Sequence, residues 1–269
     1  MLLLILLTAL VRPVESAQPR IIILGYHEVE DDGLPPHAVI PRGSAAAATD
    51  DEMARYTVST AAFRQQLDAL DAHGYEVIAL ADVVDYLTGR RATLPARSAV
   101  ITVDDGWRST STEIAPELAK RRWPFTAFVY PRVIEQHAHH PYNVTWSEAR
   151  ALANGGVDVE SHTYSHPFLS RAREPKLDAE AYAAFLDDEL GCSRALIAAH
   201  IGQPVRFLAY PYGDYDDGVI AAAKAAGYEG AVTVKPGLVT KRSNPFALER
   251  YLLHHDTTLA EFERWLEAP

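Results

Sequence analysis

Two adjacent carboxylates, Asp104 and Asp105, end the β-branched run Ala99-Val100-Ile101-Thr102-Val103 and are followed at once by Gly106. Neighbouring like charges raise each other's cost of ionisation unless a cation shares the site. With a divalent metal present, one carboxylate can ligate while the other stays free to accept a proton. Taken alone, the same residues also fit a solvated Asp-Asp-Gly turn. A second cluster is Ser161-His162-Thr163-Tyr164-Ser165-His166-Pro167. Two histidines four apart can lie on one face of a helical turn and grip one ion, although such pairs are also common as surface histidines. Two imidazoles and a carboxylate leave positions open on a metal, which suits a catalytic rather than a structural site. A third stretch is Tyr210-Pro211-Tyr212-Gly213, where proline and glycine force a tight loop. A backbone N–H in such a loop can face a developing oxyanion; an ordinary Pro-Gly turn is the plainer reading. Cys192 is the only cysteine, so a metal must be held by histidine and carboxylate, and 11 histidines are present.

The elements that must position these residues alternate along the chain. Ile21 to His27 reads as a buried strand ending in a polar residue. Residues 30–56, rich in Gly, Pro, Asp and Ala, read as a long surface loop. Helical spacing of Phe63, Leu67 and Leu70 predicts a helix capped at Ser59 or Thr60 and ended by Gly74. Strands are then predicted at Tyr75–Leu80, Ala99–Val103, Phe125–Tyr130, Val157–Glu160, Phe207–Tyr210, Gly230–Val234 and Arg250–Leu253. Between and after them, helices are predicted at Asp82–Leu87, Glu113–Lys120, Ser147–Ala153, Ala179–His200, Asp217–Ala226 and Leu259–Leu266. Such alternation predicts a parallel sheet with helices outside it. Seven or eight units without a hinge-like linker favour a closed or nearly closed barrel. In such barrels chemistry sits where strands end. His27, Asp104, Asp105, His162, Tyr212 and His255 all fall at or just past predicted strand ends.

The chain has 269 residues, ordinary for one α/β barrel, and its 48% apolar content can fill a sizeable core. A formal net charge of −11 argues against nucleic acid as a partner. It could suit a cationic product such as a glucosamine polymer, though many proteins are acidic for solubility alone. The opening run MLLLILLTAL is too short to span a bilayer comfortably. Val14 and Ser16 supply the small or apolar residues of a signal-peptidase site after Ser16, although no Lys or Arg precedes the run. Residues 1–16 are therefore expected to be a signal peptide or N-terminal anchor, and 17–269 one folded domain, exported to a periplasm or outside the cell. Membrane association is expected only through that N-terminal segment.

In this order the three motifs resemble the polysaccharide deacetylase family, the NodB-homology or carbohydrate esterase family 4 domain. Thr102-Val103-Asp104-Asp105-Gly106 is similar to its T-F-D-D-G motif, with Val for Phe. His162-Thr163-Tyr164-Ser165-His166 fits H-[S/T]-x-x-H, and Tyr210-Pro211-Tyr212-Gly213 fits the end of a third motif. The resemblance runs from about Ile21 to Leu266. It implies an α/β fold, a distorted (β/α) barrel of about seven parallel strands. It also implies Zn²⁺, or Co²⁺ or Ni²⁺, held by Asp105, His162 and His166, with Asp104 as general base. The backbone N–H of Tyr212 would hold the oxyanion, and a histidine would protonate the leaving amine. For that acid the resemblance points to His255 in Leu252-Leu253-His254-His255-Asp256; a one-residue shift would choose His254. An arginine that the family often carries at the start of the third motif is Ala209 here, and Arg250 is a candidate to replace it.

Within the family the chain resembles the biofilm poly-β-1,6-N-acetylglucosamine deacetylases through Gly25-Tyr26-His27-Glu28-Val29 and Tyr56-Thr57-Val58-Ser59. Leu248-Glu249-Arg250-Tyr251 and Thr258-Leu259-Ala260-Glu261-Phe262 add to this. The implied activity is removal of N-acetyl groups from an N-acetylglucosamine-containing polysaccharide, releasing acetate. Peptidoglycan, chitin oligomers or acetylated xylan are alternative substrates for the same chemistry. An inactive carbohydrate-binding relative is an alternative of another class, against which the intact first two motifs argue. Two-domain relatives carry a further glycoside hydrolase domain; the chain ends where that would begin, so only deacetylation is expected. Trp107 and Tyr164 flank the first two motifs and could stack on sugar rings or pack on the barrel rim. His27 could contact substrate or be structural.

Overall fold

The computed structural model describes residues 18–30, 55–136 and 142–267. The leader reading at 1–16 and most of the loop expected over 30–56 lie outside the described residues. The strands are β1 (Arg20–Tyr26), β2 (Glu28–Glu30), β3 (Thr57–Ser59), β4 (Glu76–Val77), β5 (Arg97–Val103), β6 (Thr126–Val129), β7 (Asp158–Ser161), β8 (Phe207–Ala209), β9 (Gly230–Val232) and β10 (Tyr251–Leu252). The α-helices are α1 (Thr60–Ala72), α2 (Leu80–Thr88), α3 (Ala115–Arg121), α4 (Pro131–Glu135), α5 (Trp146–Asn154), α6 (Ala179–Leu186), α7 (Ser193–Ile201), α8 (Asp217–Ala225) and α9 (Leu259–Glu267).

The main sheet runs β10-β1-β5-β6-β7-β8-β9, with β4 added beside β5, and every pairing in it is parallel. These seven strands in sequence-ordered succession meet the expectation of a (β/α) barrel. Runs such as Arg20-Ile21-Ile22-Ile23-Leu24 suit a strand covered on both faces, which is what parallel sheets require. One segment draws the sheet's two edges together. Ala231 N donates to Pro245 O (2.8 Å), Leu248 N to Ala231 O (3.0 Å) and Arg250 N to Lys235 O (2.8 Å); further on, Leu253 N donates to Gly25 O (2.9 Å). The stretch from Pro245 to Leu253 therefore joins β9 first and β1 next.

Side chains alternate across each strand, and the core divides accordingly. Ile22, Leu24, Ile101, Val103, Ala127, Val129, Val159 and Leu208 pack with the surrounding helices. Ile21, Ile23, Val100, Phe128, Phe207, Val232 and Leu248 form a separate cluster with Leu80, Val83 and Val84 of α2. This second cluster is the apolar floor of the barrel interior. Counting on by twos along the same face gives Gly25 and His27, Thr102 and Asp104, and Arg250. The polar residues thus stand on the interior face, one or two steps above the apolar floor.

Helix starts follow the expected chemistry. Ser59 caps α1 by accepting from Ala62 N (3.1 Å), and Thr145 and Glu148 form a capping box on α5. The helix predicted over Ala179–His200 is interrupted by a π-helical turn at Asp187–Cys192 between α6 and α7. The strand predicted at Tyr75–Leu80 shrinks to β4, because Leu80 already begins α2 and the Asp82 carboxylate accepts from Ala79 N (3.3 Å).

Candidate active site and metal centre

Asp104 extends the ladder of β5, its N–H donating to Tyr26 O at 2.9 Å, so its side chain keeps the interior direction. Asp105 would point outward if the strand continued. Instead it takes φ 70°, and Gly106 follows at φ 64°. A left-handed aspartate costs about 1–2 kcal/mol, and local hydrogen bonds hold it there. Asn143 Nδ2 donates to Asp105 O (3.1 Å) and Gly106 O (3.4 Å), and Val144 N donates to Gly106 O (2.9 Å). Asn143 is fully buried. The turn brings both carboxylates to one pocket.

His162 leaves β7 with its N–H donating to Val129 O (2.8 Å). The helical turn expected for His162–His166 does not form. Thr163 (φ 65°) and His166 (φ 61°) are left-handed, and the histidines converge across a tight loop instead. Glu189, from the π-turn, holds this loop by accepting from Tyr164 N (3.0 Å), Ser165 N (2.8 Å) and Ser165 Oγ (2.6 Å). His162 Nδ1 lies 2.7 Å from Ala209 O, so it carries the proton and leaves the Nε2 lone pair for the pocket. Ala209 therefore contributes to the site through its backbone carbonyl.

Asp105 Oδ1 lies 3.5 Å from His162 Nε2 and 3.3 Å from His166 Nε2, and all three residues are buried. Ligands about 2.0–2.2 Å from a tetrahedral Zn²⁺ would be separated by about 3.3–3.6 Å. The donor set and its spacing therefore fit a divalent cation with room for further ligands. Asp104 is engaged differently. Arg250, fully buried, gives it two hydrogen bonds, Nη1 to Oδ1 at 2.7 Å and Nη2 to Oδ2 at 2.6 Å. Its Nη1 also donates to Thr102 Oγ1 and its Nε to Thr233 O, both at 3.0 Å. Burial pushes the Asp104 carboxyl up, and the Arg250 guanidinium, with His162 and His27, outweighs this and holds it below the usual carboxylate range. Gly25 makes room for this arrangement: a Cβ there would lie 2.6 Å from Leu252 Cδ2 and 3.1 Å from Arg250 Cδ.

His27, Glu28, Tyr56, Trp107, Tyr210 and Tyr212 complete the pocket wall around Asp104, Asp105, His162 and His166. Tyr212 sits in the short Pro211–Gly213 turn at φ 59°, where the next two amides are taken by Tyr210 O and Pro211 O. His27 Nδ1 is buried and has no hydrogen-bond partner among the described residues; its ring packs on Tyr56 at 4.5 Å. Burial pushes its imidazole down, against the opposing pull of Asp104 and Asp105. Burial also raises Glu28, to about 8, and Glu30 adds to the effect.

His255 is not brought to this pocket. The turn after Leu253 carries it to the surface, where its ring Nδ1 lies 3.4 Å from Arg55 O. His254 packs on Tyr56 at 5.1 Å and lines a neighbouring groove. Trp107 is in the pocket wall, whereas the Tyr164 hydroxyl is turned to Glu135 (2.9 Å). Asn143 and Glu189, which fix the Asp105 turn and the His162–His166 loop, carry no sequence signal beyond an isolated amide and an isolated acid.

Residues 91–231 match the sequence profile of polysaccharide deacetylases. The poly-β-1,6-N-acetyl-D-glucosamine N-deacetylase of Staphylococcus aureus strain MRSA252 is 26% identical over 216 residues, spanning 80% of this chain and 73% of that protein. The structure of IcaB from Ammonifex degensii superposes with a TM-score of 0.72 at 25% identity, covering 93% of this chain and 98% of that one. A de-N-acetylase from Aggregatibacter actinomycetemcomitans superposes at 0.74, with 21% identity and coverage of 91% and 99%.

Proposed function

The chain belongs to the polysaccharide deacetylase family, and from that premise we propose that it is a metal-dependent N-deacetylase of a poly-N-acetylglucosamine, the β-1,6-linked polymer in particular. One observation carries the reading: Asp105, His162 and His166 converge at ligand spacing beside an Asp104 that Arg250 keeps ionised. The S. aureus relative named for the β-1,6 polymer supports the choice of substrate.

A divalent cation held by Asp105, His162 and His166, Zn²⁺ or else Co²⁺ or Ni²⁺, would supply Lewis acidity and a water of lowered pKa. Asp104, standing next to the ligands and not needed as one, takes the proton of the attacking water. The oxygen of that water bonds to the acetamide carbon, and the Tyr212 N–H is offered to the developing oxyanion. The carbon–nitrogen bond then breaks as the amine gains a proton, giving acetate and a free amino sugar. His27 takes the donor role expected of His255, because its ring lines the pocket close to Asp104 and Asp105. The apolar leader supports action outside the cytoplasm. Among the described residues no helix is long and apolar enough to cross a membrane.

The test is acetate release by purified protein from poly-β-1,6-N-acetylglucosamine, peptidoglycan, chitin oligomers and acetylated xylan, with and without a chelator. Release from the β-1,6 polymer that stops on chelation and returns with added Zn²⁺, Co²⁺ or Ni²⁺ is expected. Chelator-resistant release would overturn the metal assignment, and preference for another polymer would overturn the substrate.

A further inference from the structure

The catalytic pocket shares a wall with a second groove. Arg55, Tyr56, Tyr212, Val234 and Leu252 line both. Beyond that wall the groove is formed by β10, the turn after it and the start of α9. Tyr251 and Trp265 stack on each other there, with centroids 4.8 Å apart and planes 22° apart, and both keep partly exposed surface. Aromatic side chains of this kind offer the apolar faces that sugar rings pack against.

The same groove carries two carboxylates on fixed backbone. Asp256 lies in a turn held by Thr257 N donating to His254 O (3.1 Å) and His254 N donating to Thr257 Oγ1 (2.9 Å). Glu261 lies in the first turn of α9, its N–H donating to Thr258 Oγ1 (3.2 Å). Both carboxylates act electrostatically on His254, as Arg55 does more strongly in the opposite sense, and among the described residues neither carboxylate has a Lys or Arg within ion-pair distance. Arg55, the basic side chain of the groove, stands on the wall shared with the catalytic pocket. The far part of the groove therefore combines aromatic surface with unneutralised negative charge, and it is continuous with the reacting centre.

A neutral N-acetylated sugar would gain nothing from those carboxylates. A sugar whose acetyl group has been removed carries an ammonium group, and that is the product of the reaction proposed above. We infer that this groove is a subsite for a glucosaminyl unit next to the acetamide being cleaved, so that the enzyme favours partly deacetylated stretches of its polymer. The inference rests on the deacetylase reading, and two readouts keep the failures of each apart.

The first readout is kcat/KM for acetate release from matched oligosaccharides, one fully acetylated and one with a single free amine beside the target acetamide, made in both orientations. One orientation should react roughly three- to tenfold faster, as expected for two partly exposed charge contacts, and the preference should shrink with added salt. The double variant Asp256→Asn/Glu261→Gln should lose the preference while cleaving the fully acetylated oligomer as before. The second readout needs no catalysis: a fully deacetylated glucosamine oligomer should bind the metal-loaded protein, and the double variant roughly three- to tenfold more weakly. Equal rates on matched substrates, or a preference unchanged in the double variant, overturn the subsite. Binding that depends on both carboxylates, with no acetate released from any oligomer, would uphold the subsite and overturn the deacetylase reading instead.

Discussion

Replacing Arg250 by methionine should raise the pKa of Asp104 without removing any of the proposed metal ligands. Arg250 is fully buried and makes four hydrogen bonds, two of them to Asp104 at 2.7 and 2.6 Å. Methionine keeps much of the stem and none of the charge, so the effect of burial on Asp104 is then opposed only by His162 and His27, and its carboxyl moves up. Removing one partner of a buried ion pair costs about 3–5 kcal/mol. Against a stability of about 5–15 kcal/mol for a domain, the variant should remain folded with a lower denaturant midpoint. A general base contributes roughly 10²–10⁴-fold, so kcat/KM for acetate release should fall by about two decades or more at neutral pH. Its acid limb should move to higher pH. Because the folded wild type holds Asp104 below its ordinary range, the pair's stabilisation is present above that range and lost as pH falls through the folded value; the variant should lack this loss. Metal content, read by elemental analysis, should stay at the wild-type level, since the hydrogen bonds of Arg250 go to Thr102, Asp104 and Thr233 rather than to the ligands. An acid limb that does not move would refute the view that Arg250 sets the charge of the base.

Asp104→Asn should keep the metal and lose about three decades of rate, whereas His162→Ala should lose metal first; elemental analysis beside acetate release separates them, and near-full activity of Asp104→Asn would contradict its role as base. Gly25→Ala should cost about 1–3 kcal/mol through overpacking and lower kcat more than it changes KM, because the added methyl crowds Leu252 and the Arg250 stem that holds Asp104. Denaturation curves and steady-state kinetics on the same protein would check this. Glu160 is buried beneath β8, accepting from Arg206 N (2.7 Å) and Phe207 N (2.8 Å), and burial raises it to about 8 from 4.5. The folded state therefore binds the extra proton, and stability should decline as pH rises from about 4.5 to about 8, by less than about 1.4 kcal/mol per pH unit. Glu160→Gln should flatten that decline in urea titrations at several pH values, and an unchanged slope would show that the two amide donors keep Glu160 ionised.

What the sequence made legible is what local chemistry encodes. The β-branched run before Asp104 ends in an Asp-Asp-Gly turn as read, and the alternation of strand and helix signals yields the parallel order β5-β6-β7-β8-β9. The second motif kept its two histidines together, but not by helical periodicity. Left-handed residues at Thr163 and His166 fold the loop back, and the Glu189 carboxylate that stabilises it arrives from 24 residues downstream. Spacing alone cannot distinguish four residues of helix from four residues of a clamped loop, since both bring the ends of the segment close.

The sequence names Arg250 and His27 as candidates, but what brings them to Asp104 and the pocket is not legible locally. Arg250 meets Asp104 across 146 residues because the stretch from Pro245 to Leu253 passes from β9 to β1, which makes the last strand a neighbour of the first. Barrel geometry then selects alternate residues: 102, 104 and 250 fall on the interior face, and Gly25 leaves the space the guanidinium stem needs. The same geometry decides against His255. Leu253 N is spent on Gly25 O, the chain leaves the barrel there, and a histidine two residues later reaches only the rim. His27 follows β1 directly, two residues beyond Gly25 on the interior register, and so enters the pocket, as its place at the end of a predicted strand allows. Replacing His27 by Gln should therefore depress kcat with metal retained, while His255→Gln should leave both unchanged. The reverse pattern would mean that the turn after Leu253 closes over the pocket during turnover and that the interior register does not select the proton donor.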